Sequence, residues 1–373
     1  MTACALLTSC KFGEVTVPRG EAVVVVHAVL NPSYFQQVFL VERALTGAVN
    51  IDTLVPFDPA DPVRTGRGVA VSNARVVLSD DTLELVALED RTPVNPRGAG
   101  VYRLNLTGRT QLQPGKRYTL TVTTPQGEVV RGSTTIPKVA PAPGQVGTVP
   151  FDRDLDTLRF DWTPVTGART YMLFAESPFG AFNLFLDSLQ VRLPGSLRNI
   201  FANEIPRVFF PGFQQQVVVA AVDTNYYDYY RSRNDPFTGS GIVNHLEGGV
   251  GVVGSVVPIA RRTLAVGATM RAPIEGHYVR GNTAQNFLGA ITLYIESPPA
   301  NGNPAALSGS WVRQGTSELD GFIGTLQGKQ VRLALLNQWS ANDTIGVINA
   351  EWRGDSLVGS FVQGGAVVLV KRP

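Results

Sequence analysis

Short runs dominate this chain, some alternating apolar and polar residues and others stringing β-branched residues together without a break. "EAVVVVHAVL" (21–30) and "QQVFLVERAL" (36–45) are separated by "NPSYF" (31–35). Period-two alternation lines one face of a pleated strand, and β-branched side chains suit its pleated surface. "ARVVLS", "TLELVAL" and "GVYRLNL" continue the pattern. In "KRYTLTVTTPQGEVVRGSTTIP" (116–137) the "TPQG" separates two alternating runs, which predicts a hairpin.

The proline-rich stretch "IPKVAPAPGQVGTVP" (136–150) reads as a stiff linker with few backbone donors. A softer boundary falls in "PIARRTLAVGATMRAPIEG" (258–276). These breaks predict three all-β domains after a tether at 1–13. The first, 14–140, reads as an immunoglobulin-like or transthyretin-like sandwich. The second, 141–262, carries "LRFDWTPVTGARTYMLFAES", with Trp162 in one strand and Tyr171 in the next, followed by Pro211-Gly212 and a long alternating run. It resembles a fibronectin type III domain, in which the Trp packs between sheets. The corner tyrosine of that family falls at Gln215 here, so its side-chain-to-backbone staple is absent or replaced.

The third, 270–373, is the most regular. "EGHYVRG", "FLGAITLYIES", "LSGSWVRQ", "ELDGFIGTLQ", "QVRLALLNQ", "TIGVINAEWRG", "SLVGSFVQ" and "AVVLVKR" follow at close spacing, with Gly309, Gly321, Gly346 and Gly359 inside runs. Glycine within a strand permits the sharp bending of a small closed sheet. An up-and-down β-barrel or a tightly coiled sandwich is predicted. If the barrel is hollow, Tyr294, Trp311, Trp339, Trp352 and Phe361 are the candidates to line it around a small apolar ligand.

Composition narrows the function classes. The chain has 373 residues, 38 of them Gly and 25 Pro, with 17% charged residues and a net charge of +2. Nucleic-acid binding needs clustered Lys and Arg, and no long basic run exists. No apolar stretch approaches the roughly 20 residues of a spanning helix. Both cysteines, Cys4 and Cys10, stand at the start. No histidine accompanies them as zinc would require, and a disulfide between them would close a tiny terminal loop that constrains little. "ALLTSC", ending at Cys10, resembles a bacterial lipobox, which implies lipid attachment at Cys10. Acyl chains anchor at about 0.8 kcal/mol per buried CH2. The basic and apolar regions of a secretory signal are missing ahead of it, so the expectation is that Met1 lies inside a longer signal.

Motifs with catalytic or cofactor associations lack their context. "GVGVVG" (249–254) matches a dinucleotide fingerprint, but Pro258 and β-branched residues follow where a helix is required. "GTLQGK" (324–329) is one residue short of a P-loop and reads as a hairpin turn. Asp152, Asp154 and Asp156 alternate as in a calcium loop, yet Thr157 and Thr163 replace its glycine and bidentate glutamate. His27, His245 and His277 fall one per domain, and neither G-x-S-x-G nor H-E-x-x-H occurs. A non-catalytic protein without cofactor is expected, with an envelope-polymer hydrolase as the enzymatic alternative.

The stretch "TNYYDYYRSRNDPFTGSG" (224–241) is the strongest candidate surface. It is read as an extended loop presenting Tyr226, Tyr227, Tyr229, Tyr230, Arg231 and Arg233, a chemistry shared with paratopes. The bland alternative is that these tyrosines pack between domains.

"QQVFLVERALTG", "SNARVVLSDD", "PGKRYTLTVTTPQG", "NYYDYY" and "LEGGVGVVGS", together with the lipobox, resemble a bacterial envelope lipoprotein family known only as a domain of unknown function, the 4249 family. The resemblance covers roughly residues 10–260. It implies a lipid anchor in the bacterial cell envelope, on the periplasmic face or the cell surface, and a sandwich-plus-fibronectin-like architecture; envelope proteins or glycans are the partners expected at such a place. It implies no established activity.

Overall fold

A computed structural model describes residues 22–44, 69–90, 99–144, 147–177, 180–195, 209, 211, 214–232, 243–281, 287–297, 299, 302–316, 319–337 and 340–372. Eight strands come first: β1 (Val23–Leu30), β2 (Gln36–Ala44), β3 (Val69–Ala70), β4 (Arg75–Ser79), β5 (Glu84–Glu89), β6 (Val101–Asn105), β7 (Arg117–Thr123) and β8 (Val129–Thr135). They pair in the order β1-β2-β6-β5-β4-β7-β8. β5 pairs with β4 along its first half and with β6 at Leu88 and Glu89. One strand thus turns the corner between two layers, as sandwiches with switched strands do. Val24, Val26, Ala28 and Leu30 of β1 point into the core with Phe39 and Val41, where they meet Val76, Leu78, Leu120, Val122 and Val130.

Next come β9 (Thr148–Asp152), β10 (Thr157–Asp161), β11 (Thr170–Ser177), β12 (Gly180–Leu186), β13 (Gln190–Pro194), β14 (Gln214–Val222), α1 (Thr224–Ser232) and β15 (Val250–Gly267). β12-β11-β14-β15 form one face, and β10 and β13 form a separate two-stranded ribbon. Phe160, Leu158, Val191 and Leu193 of the ribbon pack with Leu173, Val217 and Val219 of the larger face. Gln215 is buried, and its Oε1 accepts the Phe209 N–H at 2.7 Å. A buried glutamine side chain therefore ties down the backbone ahead of β14. Trp162 is half-buried beside Tyr171, with ring centroids 5.2 Å apart, because it sits just beyond the end of β10.

The 18-residue β15 joins the two groups of strands. Its first residues run parallel to β1 from Val25↔Val250 to Leu30↔Ser255, and its later ones pair antiparallel with β14. Pro258 lies within the strand, where a register shift beside Val219 and Ala220 accommodates its missing N–H. The strand therefore continues past residue 262 and ends at Gly267.

The remaining strands close a barrel: β16 (Gly276–Arg280), β17 (Leu288–Ser297), β18 (Ala305–Arg313), β19 (Leu319–Gln327), β20 (Gln330–Asn337), β21 (Ser340–Trp352), β22 (Ser356–Phe361) and β23 (Ala366–Arg372). Each pairs antiparallel with the next, and β16 pairs back onto β23. Tyr278, Leu293, Trp311, Phe322, Leu333, Leu335 and Ile348 belong to one packed cluster. At Gly309 a Cβ would lie 1.8 Å from the Thr292 carbonyl oxygen and 2.8 Å from the Phe322 ring, so only glycine lets the wall close there.

Candidate functional site

The tyrosine stretch is helical where an extended loop was expected. Asp223 starts α1 as its N-cap: its Oδ1 accepts the Tyr226 N–H at 2.9 Å, and its carbonyl accepts the Tyr227 N–H at 3.2 Å. Helical spacing then groups the tyrosines differently from strand alternation. Tyr226, Tyr229 and Tyr230, at i, i+3 and i+4, are buried together, and Tyr227 is half-buried. The physical reason lies beneath them. Val29, Met172, Ala220, Val222, Val252 and Val256 leave the outer face of the sheet apolar, and the three rings cover it. Tyr226 and Tyr230 stack with centroids 4.4 Å apart, Tyr229 meets Tyr230 edge-on, and the Tyr229 hydroxyl lies 3.4 Å from His27 Nε2. Most of the tyrosine candidates are therefore mortar.

What remains for solvent is the other side of α1. The guanidinium of Arg169 lies 4.8 Å from the Tyr227 ring centroid and that of Arg231 lies 5.5 Å from it. Phe185 meets the same ring edge-on at 5.1 Å. Both arginines are exposed. Their cation–π contacts with the ring place two forks of N–H donors beside a fixed base, an arrangement suited to carboxylates and similar anions. Beside them Asp228 Oδ2 lies 3.0 Å from His245 Nε2. Arg233 falls outside the described residues.

A buried polar knot beneath α1 was not foreseen from the sequence. Asp223 Oδ1 also accepts the Ser255 N–H at 3.0 Å, and Thr134 donates its hydroxyl to Asp223 Oδ2. Asn225 Nδ2 donates to the carbonyls of Ser133 at 2.7 Å and Val253 at 2.9 Å. Burial pushes the Asp223 carboxyl above the ordinary aspartate value, against the opposing effect of its hydrogen-bond donors. Gly254 completes the seat: a Cβ there would lie 2.9 Å from the Tyr226 nitrogen. An aspartate followed by tyrosines at i, i+3 and i+4 was the available signal for the helix. Nothing local pointed to Thr134, which arrives from β8.

The other candidates resolve as follows. Asp152, Asp154 and Asp156 serve the turn between β9 and β10. Asp156 accepts the Asp152 N–H at 2.7 Å, Asp152 accepts the Asp154 N–H at 2.8 Å, and Thr269 donates to both Asp152 and Asp154. Among the described residues no group of three or more His, Cys, Asp or Glu is arranged to hold a metal ion. Their neighbour Arg153 is buried and reaches the barrel, donating to both carboxylate oxygens of Glu296 at 2.8 Å. Ser308 adds a hydroxyl to Glu296 at 2.5 Å.

Of the barrel candidates, Trp311 and Phe361 are part of the packed cluster and Trp352 lies against it. Tyr294 does not face the interior. It alternates with the inward Leu293 and stands opposite Ser308, on the outer side near Arg153 and Glu275, where burial pushes its hydroxyl pKa up. Trp339 and Cys10 lie outside the described residues.

Comparison with protein families gives one match, the family described as Domain of unknown function (DUF4249), over residues 14–258. The chain belongs to this family. The matched region runs from ahead of β1 into β15, so it includes α1, the Asp223 knot and Tyr227 with its two arginines. The barrel lies beyond it. A comparison with curated proteins finds no match. Among solved structures, one described as a Ca2+-stabilized adhesin that helps an Antarctic bacterium reach out and bind ice is 11% identical. That alignment covers 94% of this chain and 73% of the other, with a TM-score of 0.16. A superposition this poor adds nothing to the fold or to the site.

Proposed function

We propose that this protein is a non-catalytic binding and scaffolding module of the bacterial cell envelope, held to a membrane by lipid on Cys10. Its recognition surface is Tyr227 with Arg169 and Arg231, and its partners are envelope proteins or glycans. The observation that carries the reading is the contrast within α1. Three buried tyrosines fix the helix to the sheet, and the outward ring holds two exposed guanidiniums at 4.8 and 5.5 Å. Rigid aromatic anchors with forked donors bind at small entropic cost. The middle strands are read as fibronectin type III-like, a scaffold that presents loops and edges. That reading is supported by the β10-β13 ribbon opposite β12-β11-β14-β15 and by the Gln215 bond to the Phe209 backbone.

The non-catalytic part of the reading is supported by the dispersal of the histidines. His27 lies against Tyr229, His245 against Asp228, and His277 against Thr292. Two measurements test the proposal. Expressed from its natural gene in a Gram-negative host, the protein should fractionate with membranes, and Cys10→Ala should release it. Separately, the purified body should co-sediment with isolated envelope fragments, and the Arg169→Ala/Arg231→Ala pair should remain in the supernatant. A wild-type protein that stays soluble sinks the anchor. Equal sedimentation of the wild type and the arginine pair sinks the surface.

A further inference from the structure

The outer face of the β10-β13 ribbon carries a charge arrangement that folding does not favour. Arg159 and Arg192 stand directly opposite each other in the register, and both are exposed. Directly opposed residues on one face have Cβ atoms about 4.5–5.5 Å apart, so like charges there repel. Among the described residues, neither guanidinium forms an ion pair with a carboxylate. Asp161, two positions along β10 on the same face, stands opposite Gln190 and joins neither. Arg262 of β15 lies 4.9 Å over the ring of Phe160, whose side chain points to the buried side of the ribbon, so it does not join this pair. The other positions on the face are Thr157, Gln190 and Pro194, all exposed.

We propose that this face binds an acidic polysaccharide, whose carboxylate or sulfate groups bridge the forked guanidiniums of Arg159 and Arg192. Paired carboxylate or sulfate oxygens accept parallel N–H bonds from such forks, and placing the anion between the arginines turns their repulsion into attraction. A lipid surface fits less well. Membrane attraction draws on about four to eight clustered basic residues, or on apolar side chains that insert. The strand positions of this face offer neither. The site is separate from the α1 surface, so either can fail without the other.

The test uses the full chain with heparin and polygalacturonate as soluble probes, measured by calorimetry at low and physiological salt. Wild-type protein should bind at least one of them. Arg159→Gln/Arg192→Gln should weaken binding by about tenfold or more, the loss expected for charge-assisted contacts. The same pair should raise the thermal midpoint by about 1–3 °C through relief of the repulsion. Arg159→Lys/Arg192→Lys keeps the charge and loses the fork, and it should also bind more weakly. The proposal is overturned if the wild type binds neither probe, or if the Lys pair binds like the wild type, which would indicate ion exchange alone. It is equally overturned if anionic phosphatidylglycerol vesicles take up the protein through these arginines while the polysaccharides do not, or if the Gln pair melts lower.

Discussion

Tyr229→Ala separates the helical seat from an extended loop more cleanly than any other single change. In α1 this residue shares a face with Tyr226 and Tyr230, whereas in an extended segment it would share one with Tyr227. Tyr229 is 1% exposed and touches His27 and Tyr230 edge-on at 5.5 and 5.1 Å. An aromatic side chain of this kind buries about 150 Å² or more, worth about 4 kcal/mol at roughly 25 cal/mol per Å². The cavity left behind adds to that cost and partial collapse of α1 reduces it, so about 3–5 kcal/mol is expected. Tyr229→Phe keeps the ring and loses the hydroxyl with its long contact to His27, so it should cost about 1 kcal/mol. Tyr227→Ala removes a half-exposed ring and two exposed cation–π contacts, each worth about 0.5–1 kcal/mol. Its cost should therefore fall well below that of Tyr229→Ala. The assay is urea unfolding followed by tryptophan fluorescence, comparing midpoints at an unchanged m-value. A cost for Tyr229→Ala equal to that of Tyr227→Ala, with Tyr226→Ala far above both, would mean strand alternation and would refute the helix.

Three further outcomes follow from buried contacts. Arg153→Ala removes the guanidinium partner of the Glu296 carboxylate and should destabilise the protein by about 3 kcal/mol, whereas Arg153→Met/Glu296→Leu should be close to neutral. Equal losses in urea unfolding would show that charge pairing is not what matters there. Because burial raises the Asp223 carboxyl, the folded protein keeps a proton that the unfolded chain releases near the ordinary value of about 3.9. Stability should then fall as pH rises from that value through the higher folded-state value, and Asp223→Asn, an equally good cap, should abolish this slope. Parallel slopes in the two proteins would contradict the assignment. Gly254→Ala presses a methyl group against the Tyr226 backbone and should speed hydrogen exchange at the α1 amides, and unchanged protection would mean the helix is not seated on β15.

Much of the architecture was legible because it depends on local pattern. Alternation along "KRYTLTVTTPQGEVVRGSTTIP" marks β7, β8 and their turn, and the β-branched run in "VVVVHAVL" marks β1 as a strand. The closely spaced Gly-bearing runs after residue 275 announce a closed up-and-down sheet, since strands of that length joined by short turns pair with their neighbours in order. The candidate surface was legible in composition and misread in geometry. The tyrosines, asparagine and aspartate of 225–230 have modest intrinsic helix propensity, so they do not by themselves choose between helix and loop. An apolar sheet face assembled from β1, β11, β14 and β15 makes that choice, because covering it requires side chains at helical spacing.

The same division separates the other features. Residue type and spacing along the chain determined that there would be strands, turns, a Gly-bent barrel and an aromatic-arginine cluster. Tertiary structure decided that β15 serves two neighbours in succession and that Tyr294 faces out of the barrel beside Arg153. It also decided that Arg159 meets Arg192 and that Thr134 reaches Asp223 across 89 residues. Each of these depends on a pairing register between segments far apart in sequence. Such a register is settled by the packing of whole faces, which no window of the sequence contains.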